Sequence, residues 1–470
     1  MDKANSTELP AGRCPVDTLA DILPPEYSEE ALALRFTALH SDDLRYVEMW
    51  QRWMIYDGSC WKTDHTGRAF EMAREICRSV SADCDDKRIA VRIASEATVR
   101  AIEKLARCDR KHAAEVDQWD QNPRLLNTPD GTIDLETGRI RPHDRLDYIT
   151  KSTAVGPGTS CPLWLKLLNQ WTNGNLELER FLQRVVGYAL TGLTLEQAFF
   201  FLYGTGANGK SVFLSVLATL FGDYASTAPM STFTAAPREQ HPTDIAGLRG
   251  ARLVTATETE EGRCWAEAKL KALTGGDPVS ARFMRQNFFK FQPQFKLVIA
   301  GNHKPGLRSV DEAIKRRLHM IPFTVTIPAS ERDGRLFERL KSEWSGILQW
   351  AVEGCLEWHK VGLNPPSVVR DATSEYLESE DSLGRWIGES CLLGSDLSGS
   401  SAELYNDWKI WSQRNGEPLM SQKRFAQSLD ARQGIKRVRT RNARLFEGIC
   451  LRKHGITSAT HSGDSHVPVC

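Results

Sequence analysis

The chain has 470 residues, 41% of them hydrophobic, 26% charged and 9% aromatic, which excludes a disulfide-stapled miniature, a fibrous chain and a disordered one. Sixty basic residues balance sixty acidic ones, so any surface built for a polyanion must be local. Eleven cysteines without paired CxxC spacings fit reduced thiols in a cytosol, and the loose set Cys77, Cys84, Cys108 and His112 matches no structural zinc pattern.

Along the chain, the N-terminal stretch carries Pro10, Pro15, Pro24 and Pro25 among small polar residues and reads as a flexible arm over residues 1–40. It has no apolar core of signal-peptide length, and no stretch approaches the ~18 apolar residues of a membrane span, so a cytoplasmic protein without a membrane partner is expected. From Leu44 to about Asp120, amphipathic stretches with Trp50, Trp53 and Trp61 and a helical run over Ala69 to Val80 predict an α-rich unit. Leu125 to Lys151 predicts short strands around turns at Pro129-Asp130-Gly131 and Thr137-Gly138. Helical spacing returns from Trp164 to Leu193. Strand and helix signals then alternate up to about Pro328, the grammar of an α/β fold with a parallel sheet.

The apolar run Ala198 to Tyr203 is followed at once by Gly204, Thr205, Gly206, Ala207, Asn208, Gly209, Lys210 and Ser211, a full match to GxxxxGK[ST]. Glycines there let backbone N–H groups face phosphate oxygens, and Ser211 opens a predicted helix whose N-terminus favours negative charge. Lys210 is expected to neutralise the β and γ phosphates of ATP, and Ser211 to hold Mg²⁺ through its hydroxyl. Arg252 to Thr257 predicts a second strand with Glu258 at its C-terminal tip, where a carboxylate can hold Mg²⁺ or polarise an attacking water. Glu260 and Glu261 follow closely, so the catalytic role lies between Glu258, which directly succeeds the strand, and Glu260. A third strand, Phe295 to Ala300, leads to Asn302, whose amide can sense a γ-phosphate. Arg316 and Arg317 precede a further strand, and a guanidinium there can stabilise charge on a transferring phosphoryl group.

Between the second and third strands, Ala281 to Lys296 carries Arg282, Arg285, Lys290 and Lys296 and no acid, interleaved with Phe283, Phe288, Phe289 and Phe291. Cations for phosphates and rings for bases suit a single nucleic-acid strand. Leu336 to Trp358 is again helical, and Pro365-Pro366 opens a connector. From Gln422 to Lys453 ten bases stand against two acids, a local charge of +8, with Lys436, Arg437, Arg439 and Arg441 at its centre. Two helices and then two strands are predicted over this last unit.

Taken together, FLYGTGANGKS, TETEEG, LKALTGGD, KLVIAGNHKP and KRRLHMIPF resemble the superfamily III helicase domain of phage and poxvirus primase-helicases. LNTPDGTIDLETGRIRPHDRLDYITK and FLQRVVGYALTG are similar to the extension that precedes that motor. The resemblance implies an AAA+ type P-loop ATPase over residues 191–365 after an α-rich extension over 41–190, a connector over 366–400, a winged-helix DNA-binding unit over 401–455 and a tail over 456–470. It also implies a hexameric ring that hydrolyses ATP with Mg²⁺ and translocates on single-stranded or forked DNA in phage, prophage or mobile-element replication within a bacterial cell. On the matched positions, Gly204, Gly209, Lys210 and Ser211 would cradle the nucleotide and Glu258 would be the strand-end acid. Asn302 would be the polar sensor, and Arg316 or Arg317 the finger. A separate primase or polymerase is an expected partner, because no primer-synthesis segment is recognisable before the extension. A nucleotide-gated DNA loader that never unwinds shares every one of these motifs.

Overall fold

The computed structural model describes residues 23–235, 243–257, 262–283, 287–307, 310–417, 419–439 and 444–452. The chain divides into two compact units, residues 1–133 with 140–152, and residues 134–139 with 153–470.

In the first unit, α1 (Glu29–His40) precedes an antiparallel sheet of β1 (Leu44–Val47), β2 (Arg52–Tyr56) and β3 (Trp61–Thr63), followed by α2 (Arg68–Ala82), α3 (Lys87–Ile93) and α4 (Glu96–Cys108). The short strands β4 (Leu125–Thr128), β5 (Gly131–Asp134) and β6 (Arg139–Arg141) form a second sheet in that order, with their turns where Gly131 and Thr137-Gly138 place them. Two expectations are corrected here. Residues 29–40 are not an arm: Ser28 caps α1 by accepting from Ala31 N, and Leu32, Ala33 and Phe36 turn one face into the core. The tryptophan-rich stretch 44–63 is sheet rather than helix, because Leu44 and Tyr46 face Ile55 and Trp53 across a two-residue period. Glu103 Oε1, nearly buried, accepts from Trp53 Nε1 at 2.6 Å and from Arg107 Nε at 2.7 Å, which satisfies its charge inside this core. Among the described residues no cluster of His, Cys, Asp or Glu is arranged to hold a metal ion, and no helix is long and apolar enough to cross a membrane.

The second unit opens with α5 (Pro162–Trp171) and α6 (Leu176–Leu190) and is built on a five-stranded parallel sheet. Its elements run β7 (Phe199–Tyr203), α7 (Lys210–Leu220), β8 (Ala225–Thr227), α8 (Thr243–Ala246), β9 (Leu253–Thr257), α9 (Glu267–Thr274), the hairpin β10 (Val279–Ala281) and β11 (Phe289–Phe291), β12 (Lys296–Gly301), α10 (Glu312–Lys315) and β13 (Leu318–Pro322). The strand order is β13-β7-β12-β9-β8. The strand that ends in the glycine-rich loop is therefore separated from β9 by β12. Because β7 is buried on both faces, its residues read as one apolar run: Phe199 and Phe201 pack on Trp265, while Phe200 meets Phe181.

After α11 (Leu336–Leu340), α12 (Trp344–Val361) lies on α6, and α13 (Ser367–Glu380) packs under β13 through Ala372, Tyr376 and Leu377. The chain then makes α14 (Ser382–Ser390), β14 (Cys391–Ser400), α15 (Ser401–Arg414), α16 (Gln422–Asp430), β15 (Lys436–Arg439) and β16 (Arg444–Leu451), with sheet order β14-β16-β15. Residues 366–400 are thus no connector. Pro366 is the N-cap of α13 rather than part of a linker, α13 completes the core of the parallel sheet, and β14 pairs with β16 across the last unit. That last unit has its own core around Trp386, Trp408, Phe425 and Phe446.

Candidate nucleotide and nucleic-acid sites

The loop after β7 is tied to its surroundings at several points. Asn208 Nδ2 donates to Phe323 O at 2.6 Å, and Ile327 N donates to Ala207 O at 2.8 Å. Ala207 itself has φ +50°, a left-handed conformation that an alanine adopts only where the surroundings enforce it. Gly209 (φ +86°) is the N-cap of α7, and a Cβ built on it would fall 2.2 Å from Trp171 Nε1. No side chain caps α7, so its first-turn N–H groups remain for an anionic ligand.

Lys210 is 4% exposed, and its Nζ donates to Gly204 O at 2.8 Å, Asn208 Oδ1 at 3.0 Å and Asn302 Oδ1 at 3.2 Å. Burial holds its pKa below the ordinary lysine value. All three acceptors are neutral, so among the described residues the ammonium has no counter-charge. Asn302 stands beyond the C-terminal end of β12, and a cleft of about 740 Å³ is lined by Lys210, Ser211, Thr257 and Asn302. Ser211 is exposed in that cleft, Thr205 is exposed on the loop, and no Cβ would meet a neighbour at Gly206. Glu258 and Glu260 lie outside the described residues; the tip of β9, Thr257, reaches the same cleft.

Arg316 and Arg317 lie at the opposite end of the strands, just before β13, the edge strand next to β7. Phe199 N donates to Arg317 O at 2.8 Å, and Leu318 pairs with Phe199, at the starting end of β7. At ~3.3 Å per residue the pair is roughly 15 Å from the loop that follows Tyr203, beyond one side chain's reach. The two arginines differ. Arg317 is 6% exposed, and its Nη1 donates to Ala313 O at 2.9 Å, whereas Arg316 is exposed. Burial and the neighbouring Arg316 charge both hold the Arg317 pKa down.

The β10–β11 hairpin leaves α9 at Gly275-Gly276 and returns into β12. Phe288 is 61% and Phe283 38% exposed, Phe283 stacks on Phe289 at 5.6 Å, and the Arg282 guanidinium sits 4.8 Å from the Phe288 ring centre. Lys290 is exposed on β11, while Arg285 lies outside the described residues. Lys296, counted from sequence among the hairpin bases, is corrected: it is 1% exposed as the first residue of β12, donating to Leu193 O at 3.0 Å and Gln294 O at 3.1 Å. Lys296 Nζ also donates to Thr191 O, the C-cap of α6, and Arg252 Nη1 donates to Leu190 O at 2.7 Å, so two buried cations meet the C-terminal carbonyls of α6. In the last unit, Lys436, Arg437 and Arg439 are exposed on β15, and Arg441 lies outside the described residues.

Sequence reasoning missed Trp171 against Gly209, the Asn208 side-chain bond to Phe323, and Gln197, which touches both arginines. Only the first carried a usable signal, since a tryptophan at the end of an amphipathic helix announces burial but not its partner.

Residues 33–173 match the family described as D5 N terminal like, and residues 202–317 match a family of unknown function, DUF5906. The protein "Putative helicase L207/L206" of Acanthamoeba polyphaga mimivirus is 25% identical over 327 residues, covering 63% of this chain and 34% of that protein. "Putative helicase 022R" of Frog virus 3 is 26% identical over 261 residues, 50% of this chain and 26% of that protein. "Putative primase C962R" of African swine fever virus is 28% identical over 210 residues, 42% of this chain and 22% of that protein. The chain is thus homologous to viral proteins named for helicase and primase roles, and it spans about a third or less of their length. The apo structure of the NrS-1 C terminal region superposes with a TM-score of 0.49 at 10% identity, covering 90% of this chain and 99% of that one.

Proposed function

We propose that the chain is an ATP-dependent DNA helicase of the superfamily III type, an AAA+ ring ATPase, hexameric by the resemblance, that translocates on single-stranded DNA in phage or mobile-element replication. The observation that carries this reading is Lys210. It is a buried ammonium at the N-terminus of α7 whose acceptors among the described residues are all neutral, one of them the amide beyond the end of β12. A triphosphate would supply the missing negative charge.

The roles follow from position. Gly204 to Ser211 would wrap the phosphates, since Gly209 has no room for a Cβ and Gly206 lies open. Mg²⁺, which would neutralise charge on the phosphates, fits Ser211 in the cleft together with a strand-end carboxylate, Glu258 or Glu260. Asn302 would exchange its bond to Lys210 for one to the γ-phosphate or the attacking water. Arg316, exposed and far from its own subunit's loop, would serve a neighbouring subunit's nucleotide, with Arg317 as its buried support. The rings and cations of the β10–β11 hairpin suit a single DNA strand, and the helix-strand-helix-helix-strand-strand order of 382–451 supports a winged-helix reading, with β15 presenting bases to phosphates.

The test is the ATPase rate with and without single-stranded DNA, beside unwinding of a forked duplex. DNA-stimulated hydrolysis with strand displacement supports the proposal. Hydrolysis and DNA binding without displacement would favour a nucleotide-gated loader, and no hydrolysis would sink the motor reading.

A further inference from the structure

Gln197 lies in the loop between α6 and β7 with φ +52°, a left-handed backbone that glutamine seldom adopts. The loop is fixed on either side of it. Glu196 Oε1 accepts from Trp358 Nε1 at 2.8 Å, Glu196 N donates to Tyr188 Oη at 3.2 Å, and Ala198 is buried. From this strained position the side chain spans two functional elements. Its Oε1 accepts from Arg316 Nη2 at 3.2 Å and Arg317 Nη2 at 3.0 Å, while its Nε2 donates to Gly275 O at 3.2 Å. The amide can take only this orientation, because guanidinium groups solely donate and a carbonyl solely accepts.

Gly275 ends α9 and begins the turn that launches the β10–β11 hairpin. A second tie joins the same two regions: Lys271 of α9 pairs with Asp311, which caps α10 just before the arginines. Thr194, three residues before Gln197, has its Oγ1 3.1 Å from where a Cβ of Gly276 (φ +84°) would stand. The loop therefore bonds to Gly275 and leaves little room for a side chain at Gly276.

We infer that Gln197 is a positioning residue that couples the Arg316/Arg317 pair to the base of the hairpin, so that engagement of the arginines by a neighbour's nucleotide is passed to the DNA-contacting element. The inference rests on the reading of the arginines and hairpin given above. Pulling Arg316 toward a phosphate removes one donor from Oε1 and frees the amide to shift against Gly275.

The experiment compares wild type with Gln197→Glu, Gln197→Ala and Arg316→Ala in the full chain, measuring ATP kcat and KM with and without oligo-dT and the melting temperature. Glutamate keeps the acceptor for both arginines but places a carboxylate against the Gly275 carbonyl, so only the hairpin side of the bridge is cut. The expected result for Gln197→Glu is a ratio of DNA-stimulated to unstimulated kcat at least fivefold lower than wild type, with KM for ATP within twofold and an unchanged melting temperature. Alanine, cutting both sides, should lower unstimulated kcat as well. Should wild type be stimulated and Arg316→Ala be inactive while Gln197→Glu is stimulated like wild type, the coupling is overturned and the motor reading stands. Should wild type show no stimulation, or Arg316→Ala hydrolyse normally, the reading itself falls and the coupling with it.

Discussion

Lys210 Nζ donates to Asn302 Oδ1 across 3.2 Å, joining the start of α7 to the loop beyond β12 inside one cleft. The contact is possible because β12 is the direct neighbour of β7 in the sheet, paired from Leu297 opposite Phe199 to Gly301 opposite Tyr203. An adjacent strand delivers its tip beside the loop; β9, one strand further out, delivers Thr257 to the far wall of the cleft.

Lys210→Ala should abolish ATP turnover with the fold intact, since the loop is otherwise held by backbone and Asn208 bonds. Asn302→Ala should keep nucleotide binding but slow turnover by roughly 10²-fold, the usual loss for one positioned polar group. Glu258→Gln should bind ATP and hydrolyse it slowly, measured as a kcat loss at constant nucleotide affinity. A larger loss in Glu260→Gln would reassign the strand-end acid.

The two arginines should separate by experiment. Arg317→Ala removes a buried guanidinium that holds Ala313 O and Gln197, so it should lower the melting temperature. Arg316→Ala should leave the melting temperature alone and cost ~10³-fold in kcat. Mixed with excess Lys210→Ala protein, it should regain activity at interfaces that pair an intact loop with an intact finger. Absence of recovery in verified mixed assemblies would refute action between subunits.

The hairpin and the last unit should fail differently. Replacing Arg282 and Lys290 with glutamine and Phe288 with alanine should abolish unwinding and weaken single-strand binding by ~1–3 kcal/mol for the lost ring. Neutralising Lys436, Arg437, Arg439 and Arg441 should instead flatten the salt dependence of DNA binding by roughly one slope unit per lost phosphate contact, while unwinding at saturating DNA survives. The reverse assignment would make the last unit the moving contact.

Acid should weaken the fold through His319. Its ring stacks on Phe200 at 5.5 Å, and burial pushes its pKa down to about 4. The unfolded chain protonates histidine near ~6.5, so between these values it binds more protons than the folded chain. The stability involved is present above pH 6.5 and is lost as pH falls toward 4. From pH 7 to pH 5 the loss is about 2 kcal/mol, and urea unfolding of His319→Phe at both values should show a correspondingly smaller difference than wild type.

Much of the second unit was legible because its chemistry is written in short runs. The loop needs glycines in fixed places, and strands buried on both faces need continuous apolar residues, so β7 and β12 announced themselves. The first unit hid more. Prolines before Ser28 masked the cap of α1, and large aromatics at 44–63 suit either period. Lys296 misled because a cation in a basic stretch reads as exposed, whereas the free carbonyls of a helix end elsewhere in the chain had drawn it inside. Gln197 gave no signal at all, since Gly275 lies 78 residues away and Arg316 lies 119. Contacts at that separation exist only in the fold.

The burial of Lys296 bears on how the hairpin can move. Its outgoing strand runs within five residues into a side chain sealed against the end of α6, while its incoming strand starts from two successive glycines, one with φ +84°. One root is clamped and the other is jointed. In the proposed motor, a movement of the hairpin would pivot on the clamped root, with the play taken up at Gly275-Gly276, so stiffening that joint should abolish unwinding without touching either the nucleotide cleft or the strands proposed to meet DNA.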